Sequence, residues 1–194
     1  MTTTPQGGLH TSRRTLVKGA AWSVPVVAVG GAAPAFASSP IPPRGMNGWV
    51  TLSRQNCSLA IDGRGRFTGG GDNDRGIWTF VDDPAAVIEG GIITFYFNRS
   101  DLTWSNSSGT GWSDLVRDPG RDGARPAPGF FAYTTTYSGT WTYRPEHEAW
   151  VANGQPYFTS RMPGWSCGAI RSYARRTLTV NDETITFTRG PVQV

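Results

Sequence analysis

The sequence predicts an all-β fold: a single antiparallel β-sandwich of immunoglobulin-like architecture, with a barrel as the alternative. Three observations carry that prediction. Short runs rich in β-branched and aromatic residues recur along the chain, separated by Gly, Asp and Asn. No window after residue 37 shows a helical hydrophobic period. The 25 Gly and 14 Pro of the chain punctuate it too often for long helices.

Taken in order, Trp49 to Leu52, Cys57 to Ile61, Ile77 to Val81 and Ile92 to Phe97 read as strands. Phe130 to Tyr137 and Thr140 to Arg144 flank Ser138-Gly139, a hairpin turn by composition. Asn153-Gly154, between Trp150-Val151 and Tyr157-Phe158, is a primed-turn signal. Ile170 to Val180 and Thr184 to Thr188 lie either side of Asn181-Asp182-Glu183, and the alternation Thr184-Ile185-Thr186-Phe187-Thr188 turns one face inward. About eight to ten strands at this spacing fit a sandwich or a barrel. Cys57 and Cys167 are farther apart than immunoglobulin domains place their pair, and Trp165 stands where a corner tyrosine is expected, so that resemblance is architectural only.

Ahead of the β region, Ser12-Arg13-Arg14-Thr15-Leu16-Val17-Lys18 joins paired arginines to apolar residues and a lysine. Gly19 to Gly31 is weakly apolar and too short for a membrane span of about 20 residues. Pro34 stops a helix, and Ala35-Phe36-Ala37 offers the small residues a signal peptidase accepts, which makes Ser38 the expected mature N-terminus. Residues 12–37 resemble the twin-arginine leaders of exported surface and secreted proteins of actinobacteria. The resemblance is confined to the leader and implies a secreted or cell-surface-associated protein. The expected organisation is a signal peptide over 1–37, a Pro-rich flexible lead-in over 38–47, and a β-sandwich domain over 48–194 with no membrane span after cleavage. The C-terminal Thr188 to Val194 shows neither a sorting motif nor an apolar tail, so release is expected unless the domain binds something.

Removing Arg13, Arg14 and Lys18 from the 18 basic residues leaves 15 Arg against 14 Asp+Glu, a nearly neutral domain. The basic pI therefore belongs largely to the leader, and nucleic acid is not an expected partner. Arg171, Arg175 and Arg176 are the nearest thing to a basic cluster and read as a solvated strand face. Cys57 and Cys167 are an even pair in an oxidising compartment and are expected to bond.

Several constellations bear on chemistry. Gly164-Trp165-Ser166-Cys167-Gly168 matches the nucleophile-elbow pattern, but no histidine follows it. Glu146-His147-Glu148 holds the one histidine after the leader and reads as an exposed turn, since a zinc site draws on several His or Cys. Gly69 to Gly76 is a glycine-rich turn in which Asp72 and Asp74 are the weak candidates for calcium; no other metal and no cofactor is expected. The stretch 106–129 has little apolar content and reads either as a solvated or disordered segment or as a recognition loop carrying Trp112 as a ligand-binding residue. Seven tryptophans follow the leader (Trp49, Trp78, Trp104, Trp112, Trp141, Trp150 and Trp165), most of them expected in the core.

The functional expectation is an exported, non-enzymatic β-sandwich with a binding or structural role at the cell envelope, its partner a cell-wall glycan or another surface protein. A carbohydrate-binding module is the alternative and predicts an exposed planar row of tryptophans. A secreted hydrolase using carboxylates such as Glu89, Glu146 or Asp182 is the third reading and predicts two of them facing across a cleft.

Overall fold

A computed structural model describes residues 45–69, 74–106, 111–124, 127–162 and 167–194, with the backbone alone over 45–49. The chain divides into two units, Met1–Pro40 and Ile41–Val194, and every described residue belongs to the second. Thirteen strands follow in order among the described residues: β1 (Gly45–Trp49), β2 (Thr51–Gln55), β3 (Ser58–Asp62), β4 (Gly76–Phe80), β5 (Ile88–Phe97), β6 (Trp104–Asn106), β7 (Val116–Arg117), β8 (Phe131–Tyr137), β9 (Trp141–Arg144), β10 (Ala149–Ala152), β11 (Tyr157–Arg161), β12 (Arg171–Val180) and β13 (Glu183–Gln193). Among the described residues two short 3-10 turns, Pro119–Arg121 and Pro145–His147, interrupt them.

The strands form three antiparallel sheets. Sheet I runs β1-β4-β10-β9, sheet II β2-β3-β11-β6 and sheet III β13-β12-β5-β8-β7. None closes into a barrel, and the fold is all-β and sandwich-like. β1 starts at Gly45, within the lead-in expected over 38–47, and pairs with β4 in the register Gly45↔Phe80 to Trp49↔Gly76.

Turn chemistry explains where the chain reverses. Asn181 and Asp182 take φ of 47° and 65°, the two positive values a two-residue primed turn requires, and β12 and β13 pair from Val180↔Glu183 outward as expected. Asn56, with φ 53°, turns β2 into β3 on a single positive value. The two other expected hairpins are not formed. β8 belongs to sheet III and β9 to sheet I, while β10 belongs to sheet I and β11 to sheet II, so Ser138-Gly139 and Asn153-Gly154 carry the chain between sheets. A polar knot fixes both crossings. Gly154 N–H donates to the Tyr137 hydroxyl (2.9 Å), which donates to the Thr140 carbonyl (2.8 Å), and Asn153 Nδ2 donates to Thr140 Oγ1 (2.8 Å).

One main core draws on all three sheets, including Leu59 and Ile61 of β3, Ile77 of β4, Phe95 and Phe97 of β5, Phe158 of β11 and Leu178 of β12. Phe97 is wholly buried, stacked on Trp104 at 5.2 Å and edge-on to Tyr133 at 5.7 Å between ring centroids. The chain also roofs two sheets on their far sides. On sheet I, Phe67 packs on Trp78 (5.1 Å) and meets the His147 ring edge-on (5.3 Å). On sheet III, Ala124, Ala127 and Phe130 cover Tyr96 and Ala132 in a second, smaller cluster.

Candidate functional site

The far face of sheet II has no comparable roof among the described residues, and it forms a groove of about 600 Å³. Strand alternation builds it. On β2, Ser53 and Gln55 point away from the core; on β11, Tyr157, Thr159 and Arg161 do so between the buried Phe158 and Ser160. Register then aligns them: Ser53 and Thr159 both face Ala60 of β3, and Ser105 of β6 lies beside Thr159. The small Ala60 forms the floor between hydroxyl-bearing walls, in a groove within the volume range of ordinary ligand sites. Arg64 stacks on the Tyr157 ring at 3.6 Å while pairing with Asp62, and that guanidinium hydrogen bond is the main reason the Asp62 carboxyl is held below the usual range.

Comparison of the chain with protein-family models, with curated proteins and with solved structures finds no match.

Arg13, Arg14, Ala35, Ala37 and Ser38 lie outside the described residues, as do Asp72, Trp165 and Ser166. Cys57 and Cys167 are joined by a disulfide, with Cα atoms 5.2 Å apart. The bridge ends are also held by hydrogen bonds: Met162 N–H donates to the Cys57 carbonyl (2.8 Å), and Arg54 Nη1 to the carbonyls of Cys167 and Gly168 (both 2.8 Å).

Trp112 is corrected from a recognition residue to a core residue. It is 6% exposed, its ring lies 4.9 Å from that of Tyr137, and its indole N–H donates to the Gly154 carbonyl (3.0 Å). Its segment is structural where described. β7 adds an edge strand to β8, Arg117 pairs with Asp122, and Asp122 accepts from Ala132 N–H (2.8 Å). That guanidinium contact chiefly depresses the Asp122 carboxyl. Asp74, the describable half of the calcium candidate, is fully buried and accepts from the Thr68 N–H (2.8 Å) and hydroxyl (2.6 Å), which makes it a loop-closing residue.

His147 sits on a 3-10 turn against Phe67 with Glu146 and Glu148 exposed, and no group of three metal-ligating side chains converges among the described residues. Glu89, Glu146 and Asp182 are exposed on β5, on the turn after β9 and at the β12–β13 tip, and none lines the groove. Trp78, Trp104 and Trp112 are buried and Trp141 and Trp150 half-buried, so these five form no exposed row. No helix among the described residues is long and apolar enough to cross a membrane.

The largest departure concerns Arg176. Arg171 is exposed, but Arg176 is 1% exposed on the core face of β12, between Ile93 of β5 and Phe187 of β13. Its Nε and Nη1 have no hydrogen-bond acceptor among the described residues. Burial, reinforced by the nearby Arg189 charge, pulls its pKa down to about 9, so it stays charged at neutral pH. Adjacent residues on a strand face opposite ways, and the apolar series Ala174, Leu178, Val180 places position 176 inside. That alternation is visible in the sequence and separates Arg176 from Arg171 and Arg175.

Proposed function

We propose that the chain is an exported, non-enzymatic binding protein that works outside the cytoplasm and holds a cell-wall glycan in the groove of sheet II. The observation that carries this reading is the asymmetry of cover. Among the described residues, the chain's own segments pack over the far faces of sheets I and III, while that of sheet II presents Ser53, Gln55, Ser105, Thr159 and Arg161 around an alanine floor. Hydroxyls and an amide at strand spacing suit a hydrated polymer bound by hydrogen bonds, and the lining holds no carboxylate that could hydrolyse it. Because Arg64 occupies one face of Tyr157, polar contacts would supply most of the recognition. The disulfide accords with an oxidising compartment.

The full-length protein, mixed with insoluble cell-wall polysaccharide, is expected to be retained. Ala60→Trp, which fills the groove floor, should reduce retention about tenfold or more while leaving the melting temperature within about 3 °C, since the side chain points outward on the sheet. No retention of the unaltered protein, or equal retention of Ala60→Trp, would sink the glycan reading. Export is checked separately by mass spectrometry of culture supernatant, where a chain beginning at Ser38 and lighter by two hydrogens is expected. An intact chain from Met1 confined to the cytosol would count against it.

A further inference from the structure

The groove of sheet II is polar along its length and charged at one end. Arg161, the last residue of β11, is the single formally charged side chain among the described residues that line it, and it is exposed. Register sets Ser58 of β3 directly opposite Arg161. Thr103, one residue before the Trp104 that pairs with Ser160, falls on the other side. A guanidinium is therefore flanked by two exposed hydroxyls, and all three residues belong to the groove wall. The strand end beneath them is tied down, because Met162 N–H donates to the Cys57 carbonyl (2.8 Å) beside the disulfide.

The carboxylates of the fold are spent elsewhere. Asp62, which ends β3, and Asp101, two residues before Thr103, are held by Arg64 and Arg99, and no ion pair among the described residues engages Arg161. At the opposite end of the groove, about 13 Å away over four residues of strand, Arg64 lies on Tyr157 and is balanced by Asp62. The domain after residue 37 is close to neutral, with 15 Arg against 14 Asp+Glu. Its overall field therefore attracts polyanions weakly, and any preference for an anion is local to Arg161.

We propose, resting on the glycan reading above, that the polymer held in this groove is an acidic polysaccharide whose sugar-borne carboxylate is taken by Arg161, with Ser58 and Thr103 donating to the same group. A guanidinium presents its N–H donors as a fork that matches the two oxygens of a carboxylate. Hydroxyls alone would accept a neutral or an acidic chain alike. One cation in a lining without carboxylates favours the acidic chain, through a charge-assisted pair that a neutral sugar does not form.

The test uses the full-length protein and one preparation of insoluble cell-wall polysaccharide in three forms: untreated, with its carboxylates converted to neutral amides, and with its phosphodiesters removed and its carboxylates kept. Retention on the untreated and phosphodiester-free forms is expected to be equal, and on the amidated form about tenfold or more weaker. Arg161→Gln should fall on untreated material to the level the amidated form gives, with no further loss on the amidated form itself. Arg161→Lys, which keeps the charge without the fork, should fall between. Both variants should melt within about 2 °C of the unaltered protein, because the side chain is exposed. Arg171→Gln, exposed on sheet III, should be retained as the unaltered protein is. Equal retention on amidated and untreated material, or undiminished retention of Arg161→Gln, overturns the proposal and leaves the glycan reading standing. Loss of retention on the phosphodiester-free form also overturns it, by assigning the anion to phosphate. Retention on none of the three forms removes the glycan reading itself, and this proposal with it.

Discussion

Replacing Cys57 and Cys167 together with serine is expected to lower the unfolding free energy by about 4–5 kcal/mol. The two residues are 110 apart in sequence, and the unfolded chain released from so long a loop gains the corresponding entropy. For a domain of this size each kcal/mol moves the melting temperature by roughly 2–4 °C, so a fall of about 8–20 °C should be seen in thermal unfolding. The doubly substituted protein should still fold. The Cys57 turn stays tied through Met162 N–H, Arg54 still reaches the carbonyls at 167 and 168, and the core around Phe97 does not depend on the sulfurs. The proposed export in a folded state, out of a reducing compartment, requires that independence. Addition of reductant to the unaltered protein should reproduce the same loss, and a change below about 1 kcal/mol would overturn the loop-entropy account by showing that the reduced, unfolded chain is already restricted without the bridge.

The strands were legible where a local rule decides them. Ile92 to Phe97 and Ile170 to Val180 are long β-branched and aromatic runs, and they became two adjacent interior strands of sheet III almost as read. Asn181-Asp182 was legible as a turn because two positive φ values are a purely local demand. Ser138-Gly139 and Asn153-Gly154 offered the same kind of signal and yet join different sheets. Turn residues state that the chain bends; whether its two arms pair is decided by distant partners, here by Phe80 of β4 taking Ala149 of β10 and Ile61 of β3 taking Phe158 of β11. β1 was hidden for a related reason, since Gly45–Trp49 pairs through its backbone and has no period of its own to show.

The sites divide along the same line. The Cys57–Cys167 bridge needed only a count of cysteines and a compartment. The groove of sheet II could not be read from sequence, because Ser53, Ala60, Ser105 and Thr159 come from four strands scattered over a hundred residues and meet only through register. Arg176 lies between these cases. Its inward position follows from alternation with Ala174, Leu178 and Val180, while the company it keeps follows from β5 and β13.

Trp112→Ala is expected to cost about 3–5 kcal/mol, the range for removing a buried aromatic ring from a core. The ring contacts Tyr137, whose hydroxyl takes the Gly154 N–H, while the Trp112 indole N–H takes the Gly154 carbonyl. One glycine is thus held on both sides at the crossing between β10 and β11, and losing the tryptophan removes packing and a hydrogen bond at once. Trp112→Phe separates the two contributions. It restores much of the packing and leaves the buried Gly154 carbonyl without its donor, for an expected loss of about 1–3 kcal/mol. Urea unfolding of the two variants measures both. The same pair tests whether this residue recognises a ligand: Trp112 does not line the groove of sheet II, so Trp112→Phe should bind insoluble cell-wall polysaccharide as the unaltered protein does at a temperature where both are folded. Loss of retention without loss of stability would return Trp112 to the binding surface, against its 6% exposure.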